Sequence, residues 1–325
     1  MSIAAARQKI VTYLPIHLES LRLDAFLEFD LYVLLNNQMV LYRSAELPFT
    51  ETTRAKLIEN GVRRLYISSE AREKFQSYME LALPELLSSP EISPVSKATL
   101  LYDTSASLLQ ETLANPAFGD NIRRCQRMVE NTMSYLITGK AAFRNLLLIT
   151  NYDYTMYTHS VNVCAYSLAL ARSAGLSDTN FLYELGVGAL LHDIGKARVS
   201  ERILKKRGEL SPKEFEIVKQ HPRVGVEILR ASGDVPEDSL RPVRQHHERG
   251  GRLGYPDQLD LHEMHIYSRI VAIADAFDAM TTTRVYQGAM PAFDALTIMR
   301  QPDCGYDPDL LTNFIHLLGP ESSAL

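Results

Sequence analysis

The chain has 325 residues, 46% of them apolar and 22% charged, with a net charge of −5 and a pI near 6.0. This length gives room for two domains with a real core, the composition excludes a disordered chain, and the acidic balance leaves no global basic field to attract DNA. Three scattered cysteines (Cys125, Cys164 and Cys304) argue against a thiolate zinc knot or a disulfide framework, and no run reaches 18 uncharged apolar residues, so a cytoplasmic protein without membrane insertion is expected.

The opening MSIAAARQKIVTYLP lacks the continuous apolar core of a signal peptide. FDLYVLL (29–35) and MVLYRS (39–44) flank the polar NNQ (36–38) and predict a β-hairpin. ETTRAKLIENG (51–61) predicts a helix, with Thr52 or Thr53 as N-cap and Gly61 as its stop. VRRLYIS (62–68) predicts a strand and EAREKFQSYMELALPELL (70–87) a helix. Residues 1–90 therefore read as a small α/β domain, regulatory or structural, in which His17 stands alone.

SSPEISPVS (88–96) is the linker candidate. Residues 97–113 and 121–137 carry apolar side chains at three- and four-residue steps, so 91–140 is read as a helical linker or dimerisation region, with a homodimer as one outcome. Residues 141–325 continue as an all-helical bundle, which makes the chain mainly α.

Within that bundle, polar donors recur at spaced stations. His159 sits on an apolar helix, and His192-Asp193 follow the next apolar run. His221 precedes Pro222, His246 and His247 are adjacent, and Asp275 and Asp278 lie three apart on one helix face. Neighbouring stations are separated by roughly 25 to 33 residues, about one helix and its connection. Each station alone has a plainer reading as a core histidine, a cap or a surface pair. The ordered set points to metal, because neutral imidazole and carboxylate suit Fe, Mn, Zn or Ni. Five imidazoles and two carboxylates exceed the needs of one tetrahedral ion, so two ions are expected, with Asp193 as the carboxylate shared between them.

LLHDIGK (190–196), LSPKEFEIVKQHP (210–222), HHERGGRLGYP (246–256), RIVAIADAFDAMTTTRVY (269–286) and GYDPDLL (305–311) resemble the motifs of the HD-GYP family, a branch of the HD superfamily of metal-dependent phosphohydrolases. The likeness runs over about 145–318. The resemblance implies an HD-type helical bundle that hydrolyses cyclic di-GMP to linear pGpG, and sometimes to GMP, with a hydroxide held between two metal ions. By position it implies one ion at His159, His192, Asp193 and Asp275 and a second at Asp193, His221, His246 and His247. Asp193 and Lys196 would serve catalysis, and Lys196, Arg284, Tyr286 and Tyr255 would contact substrate. The ions would be divalent transition metals, iron first and manganese next. Read instead as a binding module, the chain would act as a sensor or as a partner for a diguanylate cyclase.

Four departures from the family pattern stand out. Thr155 occupies the place of a glutamate that accompanies three-metal members, so two ions are expected. Gly251-Arg252 replaces Asp-Gly in the loop before Tyr255. Val199-Ser200 and Lys206-Arg207-Gly208 differ from the usual Ile-Pro and Lys-Pro-Gly, and Val285 and Gln287 replace a proline and a basic residue around Tyr286. These changes touch substrate recognition more than metal binding. They leave two alternatives: a slow or inactive cyclic di-GMP sensor, and a phosphohydrolase for another nucleotide.

Overall fold

The computed structural model describes residues 12–116, 120–149, 155–233, 235–282 and 288–319. The chain divides into two compact units, residues 1–100 and 101–325.

In the first unit, β1 (Tyr13–His17), β2 (Leu31–Leu35), β3 (Gln38–Arg43) and β4 (Arg64–Ser68) form one antiparallel sheet in the order β1-β4-β2-β3. Asn36 and Asn37 make the β2–β3 turn with φ of 47° and 65°. Asparagine tolerates this left-handed backbone, which a two-residue hairpin turn requires at both central positions. The hairpin is as expected, although β3 begins one residue earlier because Gln38 pairs with Leu35. Strand β1 was not expected. Its Pro15 has no N–H to give, which an edge strand tolerates. Alternate side chains Leu31, Val33, Leu65 and Ile67 point inward with Ile16 and Phe49.

Helix α1 (Glu51–Glu59) is capped by Thr50, whose hydroxyl accepts from the Thr53 N–H, rather than by Thr52 or Thr53. The difference is one of boundary: three candidate hydroxyls, at 50, 52 and 53, fall within four residues, and only the backbone angle at Thr50 selects the cap. Helix α2 (Arg72–Ser88) completes the unit.

The second unit is helical among its described residues. Helix α3 (Pro94–Ala114) starts in the first unit and continues into the second; it begins earlier than expected, with proline in its first turn, where the missing N–H costs nothing. It leads into α4 (Asn121–Ile137) and α5 (Lys140–Ile149). Helix α6 (Met156–Ser173) is the central element, with every residue from His159 to Ala171 buried. Helix α7 (Thr179–Leu190) and α12 (Ile266–Thr281) pack along it. Between them come the short helices α8 (Glu201–Leu204) and α9 (Pro212–Val218), then α10 (His221–Ser232) and α11 (Leu240–Gln245). Helices α13 (Ala292–Met299) and α14 (Pro308–Leu318) close the chain's described part. A core side chain such as Leu168, 1% exposed, contributes about 1.5–3 kcal/mol through removal from water. Among the described residues, no helix is long and apolar enough to cross a membrane.

Candidate metal centre

Each station of the sequence falls on a helix or directly after one. His159 lies in the first turn of α6, and His192 and Asp193 follow the end of α7. His221 opens α10, His246 and His247 follow α11, and Asp275 and Asp278 project from α12. One close approach of backbone brings two of these together. A β-carbon on Gly195 would overlap the His221 carbonyl, so only glycine lets the 194–198 turn rest on α10. Asp193 and His221 meet for that reason.

The structure brings all seven side chains together. His159, His192 and Asp275 form one donor group, and His221, His246 and His247 form another, with ligating atoms within 4.8 Å of one another in each. Asp193 stands between them. Its Oδ2 lies 3.5 Å from His192 Nε2 and 4.0 Å from His159 Nε2. Its Oδ1 lies 3.3 Å from His221 Nε2 and 3.8 Å from His246 Nε2. One carboxylate thus offers one oxygen to each donor group.

The tautomers follow from the hydrogen bonds. His192 Nδ1 faces the Ala189 carbonyl at 2.8 Å, His221 Nδ1 faces Val218 at 2.7 Å, and His246 Nδ1 faces Pro242 at 2.9 Å. A carbonyl only accepts, so each Nδ1 carries the proton and each Nε2 presents a bare lone pair inward. Two such lone pairs, on His221 and His246, are 3.1 Å apart. They repel unless a cation or a proton lies between. His192 Nε2 and Asp193 Oδ1 are buried with no hydrogen-bond partner. Orphaned buried acceptors are costly, and a bound cation satisfies them. The residues therefore fit divalent metal: nitrogen and oxygen donors, no thiolate, and lone pairs converging on two spaces.

The electrostatics agree. Burial is the largest influence on His192, His246 and His247, and it holds all three below the ordinary imidazole range, where they stay neutral and able to ligate. Asp193 and Asp275 are also buried, which alone would favour their protonated forms. Lys196 and the imidazoles around Asp193, and His159 beside Asp275, win and keep both carboxyls well below the usual range. His159 goes the other way. Burial would lower it, but Asp275 and Asp278 raise it to about 9. Without metal it is an imidazolium ion-paired to two carboxylates.

Asp278 is a residue that the sequence reading noted on the Asp275 face but gave no role. Its Oδ2 accepts from His159 Nδ1 at 2.6 Å and its Oδ1 from Asn162 Nδ2 at 2.7 Å. It orients the His159 ring, as carboxylates behind metal-binding histidines do. The signal was the i, i+3 spacing; its partner on α6 was invisible. Thr155 is the N-cap of α6, its hydroxyl accepting from the Thr158 N–H at 3.1 Å while Thr158 Oγ1 accepts from the Thr155 N–H.

Lys196 donates to Asp193 Oδ2 at 2.5 Å. Tyr255 stacks on His247, with ring centroids 4.7 Å apart, and its N–H donates to the His247 carbonyl. Burial, then Asp275 and Asp193, push its phenol up. The loop carrying it is held by Glu248, fully buried, which accepts from the N–H groups of Asp257 and Leu259. Arg244 grips Asp257 from outside with two hydrogen bonds. Gly251 and Arg252 both take left-handed backbone, with φ of 72° and 63°. An arginine there costs about 1–2 kcal/mol. Its ion pair with Glu263 and its bond to the Gln258 carbonyl offset part of this. Arg284 and Tyr286 lie outside the described residues.

Residues 143–310 match the HD domain family, just over half the chain, and the chain belongs to that family. The ordered donors, with Gly254-Tyr255-Pro256 on the loop beside them, resemble the HD-GYP branch of that family. It is 33% identical over 192 residues to a cyclic di-GMP phosphodiesterase of Pseudomonas aeruginosa, covering 59% of this chain and 46% of that protein. It is 36% identical over 167 residues to a cyclic di-GMP phosphodiesterase of Thermotoga maritima, covering 51% and 45%. A 3′3′-cGAMP-specific phosphodiesterase of Vibrio cholerae is 38% identical over 144 residues, covering 44% and 31%. The chain spans less than half the length of each of these curated relatives. A solved HDG"Y"P protein from Bdellovibrio bacteriovorus shares the fold, with a TM-score of 0.68 and 22% identity over 94% of this chain and 99% of that one.

Proposed function

We propose that this chain hydrolyses cyclic di-GMP to linear pGpG at a two-metal centre. His159, His192, Asp193 and Asp275 would hold one ion and Asp193, His221, His246 and His247 the other. The observation that carries this reading is the division of Asp193: one oxygen toward each donor group, with Oδ1 orphaned in the absence of an ion. Thr155 supports two ions over three, since its hydroxyl is engaged in capping α6 and it offers no carboxylate. Iron and manganese both suit these donors.

Divalent ions there would supply Lewis acidity toward a phosphate oxygen and a water of lowered pKa. The protein supplies the rest. Its backbone carbonyls fix three histidine tautomers, so the lone pairs are preorganised and cost no reorientation. Lys196, partly exposed and beside Asp193, offers a cation to a phosphate oxygen or to the departing ribose oxygen. The Glu248-anchored loop holds Tyr255 against His247 and so shapes the wall of the site.

The test is elemental analysis of metal-reconstituted protein together with chromatography of its products from cyclic di-GMP. Two ions per chain and linear product, both lost in Asp193→Ala, are expected. One ion or fewer in the wild type, or no linear product, overturns the reading.

A further inference from the structure

Beyond the metal centre lies an arrangement that the reaction has not used. Tyr255 has one face against His247. The Lys219 ammonium lies over the Tyr255 ring at 5.5 Å. The same ammonium lies 5.6 Å from the ring centroid of Phe215, a residue 46% exposed. A continuous path thus runs outward from a metal-binding histidine: ring, ring, cation, ring. It is fixed locally, because the Lys219 N–H donates to the Phe215 carbonyl at the end of α9. The Lys219 side chain is also paired with Glu216 at 3.0 Å, but that carboxylate is 64% exposed and such pairs exchange readily with water or ligand. Four residues on, Arg223 adds a half-exposed positive charge at the edge of the same loop.

We infer that Phe215 and Lys219 form an outer subsite that takes one guanine base of the substrate. This rests on the reading of the centre as a cyclic dinucleotide hydrolase. With the phosphodiester at the metal donors, a base that extends along the outer side of Tyr255 meets Lys219 and Phe215. An exposed aromatic ring is a stacking platform for any purine. A lysine beside it adds selectivity, because guanine presents two acceptors, O6 and N7, where adenine presents a donor beside its acceptor. The subsite is therefore a guanine reader, with Phe215 giving affinity and Lys219 giving the choice of base.

The experiment uses the metal-loaded full chain with cyclic di-GMP and cyclic di-AMP, measuring KM and kcat, and Kd by equilibrium binding where turnover is slow. Lys219→Met raises KM or Kd for cyclic di-GMP roughly tenfold, with a smaller change in kcat and in cyclic di-AMP binding. Lys219→Arg, which keeps a donor pair for guanine, restores most of it. Phe215→Ala weakens both dinucleotides. Metal content and circular dichroism are measured alongside, and Lys219→Arg guards against a folding defect. Unchanged cyclic di-GMP binding in Lys219→Met overturns the inference. So does an equal loss for both dinucleotides, which would make Lys219 a phosphate contact. A wild type that neither binds nor cleaves either dinucleotide instead overturns the hydrolase reading, and this subsite with it.

Discussion

Removing the carboxylate of Asp278 tests whether the centre is held from behind. In Asp278→Ala, His159 Nδ1–H and Asn162 Nδ2 both lose their acceptor inside a site where Asp278 is 1% exposed. Each unsatisfied buried donor costs about 1–3 kcal/mol, so the metal-free protein should lose about 2–6 kcal/mol of unfolding free energy. His159 would also lose the contact that orients its ring from behind, and losing a carboxylate behind a metal-binding histidine costs about 10–100-fold in affinity. Asp278→Asn separates the two effects. Its amide oxygen can still accept from His159. Its amide nitrogen can donate to Asn162, whose own Oδ1 is buried without a partner and would accept after a flip of that side chain. Stability should then fall by only about 1–2 kcal/mol, the loss of one charged acceptor, while metal affinity falls about tenfold, because a neutral acceptor makes His159 less basic. The assay is denaturant unfolding of chelator-treated protein, which keeps metal linkage out of the stability term, with competitive metal titration run separately. Wild-type metal affinity in Asp278→Ala would refute the positioning role.

Gly195→Ala should be severe, since the new methyl would meet backbone atoms of α10 that cannot rotate away. A loss of about 3 kcal/mol or more, together with loss of bound metal, is expected in thermal unfolding and elemental analysis; wild-type stability would contradict the close approach. The metal-free protein should also weaken as pH rises. His159 is raised to about 9, so its ion pairs with Asp275 and Asp278 stabilise fully below about pH 6.5 and fade as pH climbs toward 9. The gap corresponds to about 3 kcal/mol at most, read by denaturant unfolding across that range with chelator present; a flat profile counts against it. Metal uptake should run opposite, tightening with rising pH because an ion must displace that proton, and metal titration at several pH values checks the sign.

Much of this centre was legible before any coordinates. Histidine and aspartate at one-helix intervals picked out seven candidate donors, and those side chains do meet. Local rules also read well where the signal is local: the Asn36-Asn37 turn, the Gly61 stop, and the helical periodicity of α4. They failed where local signals compete, as among the threonines at 50, 52 and 53, or where proline hid a strand at β1.

Sequence alone determined the chemistry, because donor type belongs to each residue wherever it lies. It also determined the class, because the period of the apolar pattern is written along the chain. Only the tertiary structure decided that Asp193 turns one oxygen each way, that Asp278 stands behind His159, and that Lys219 bridges Phe215 and Tyr255. Apart from the Phe215–Lys219 step at the end of α9, those are distances between elements far apart in sequence. They are set by how side chains pack and by where a missing β-carbon, as at Gly195, lets two backbones touch.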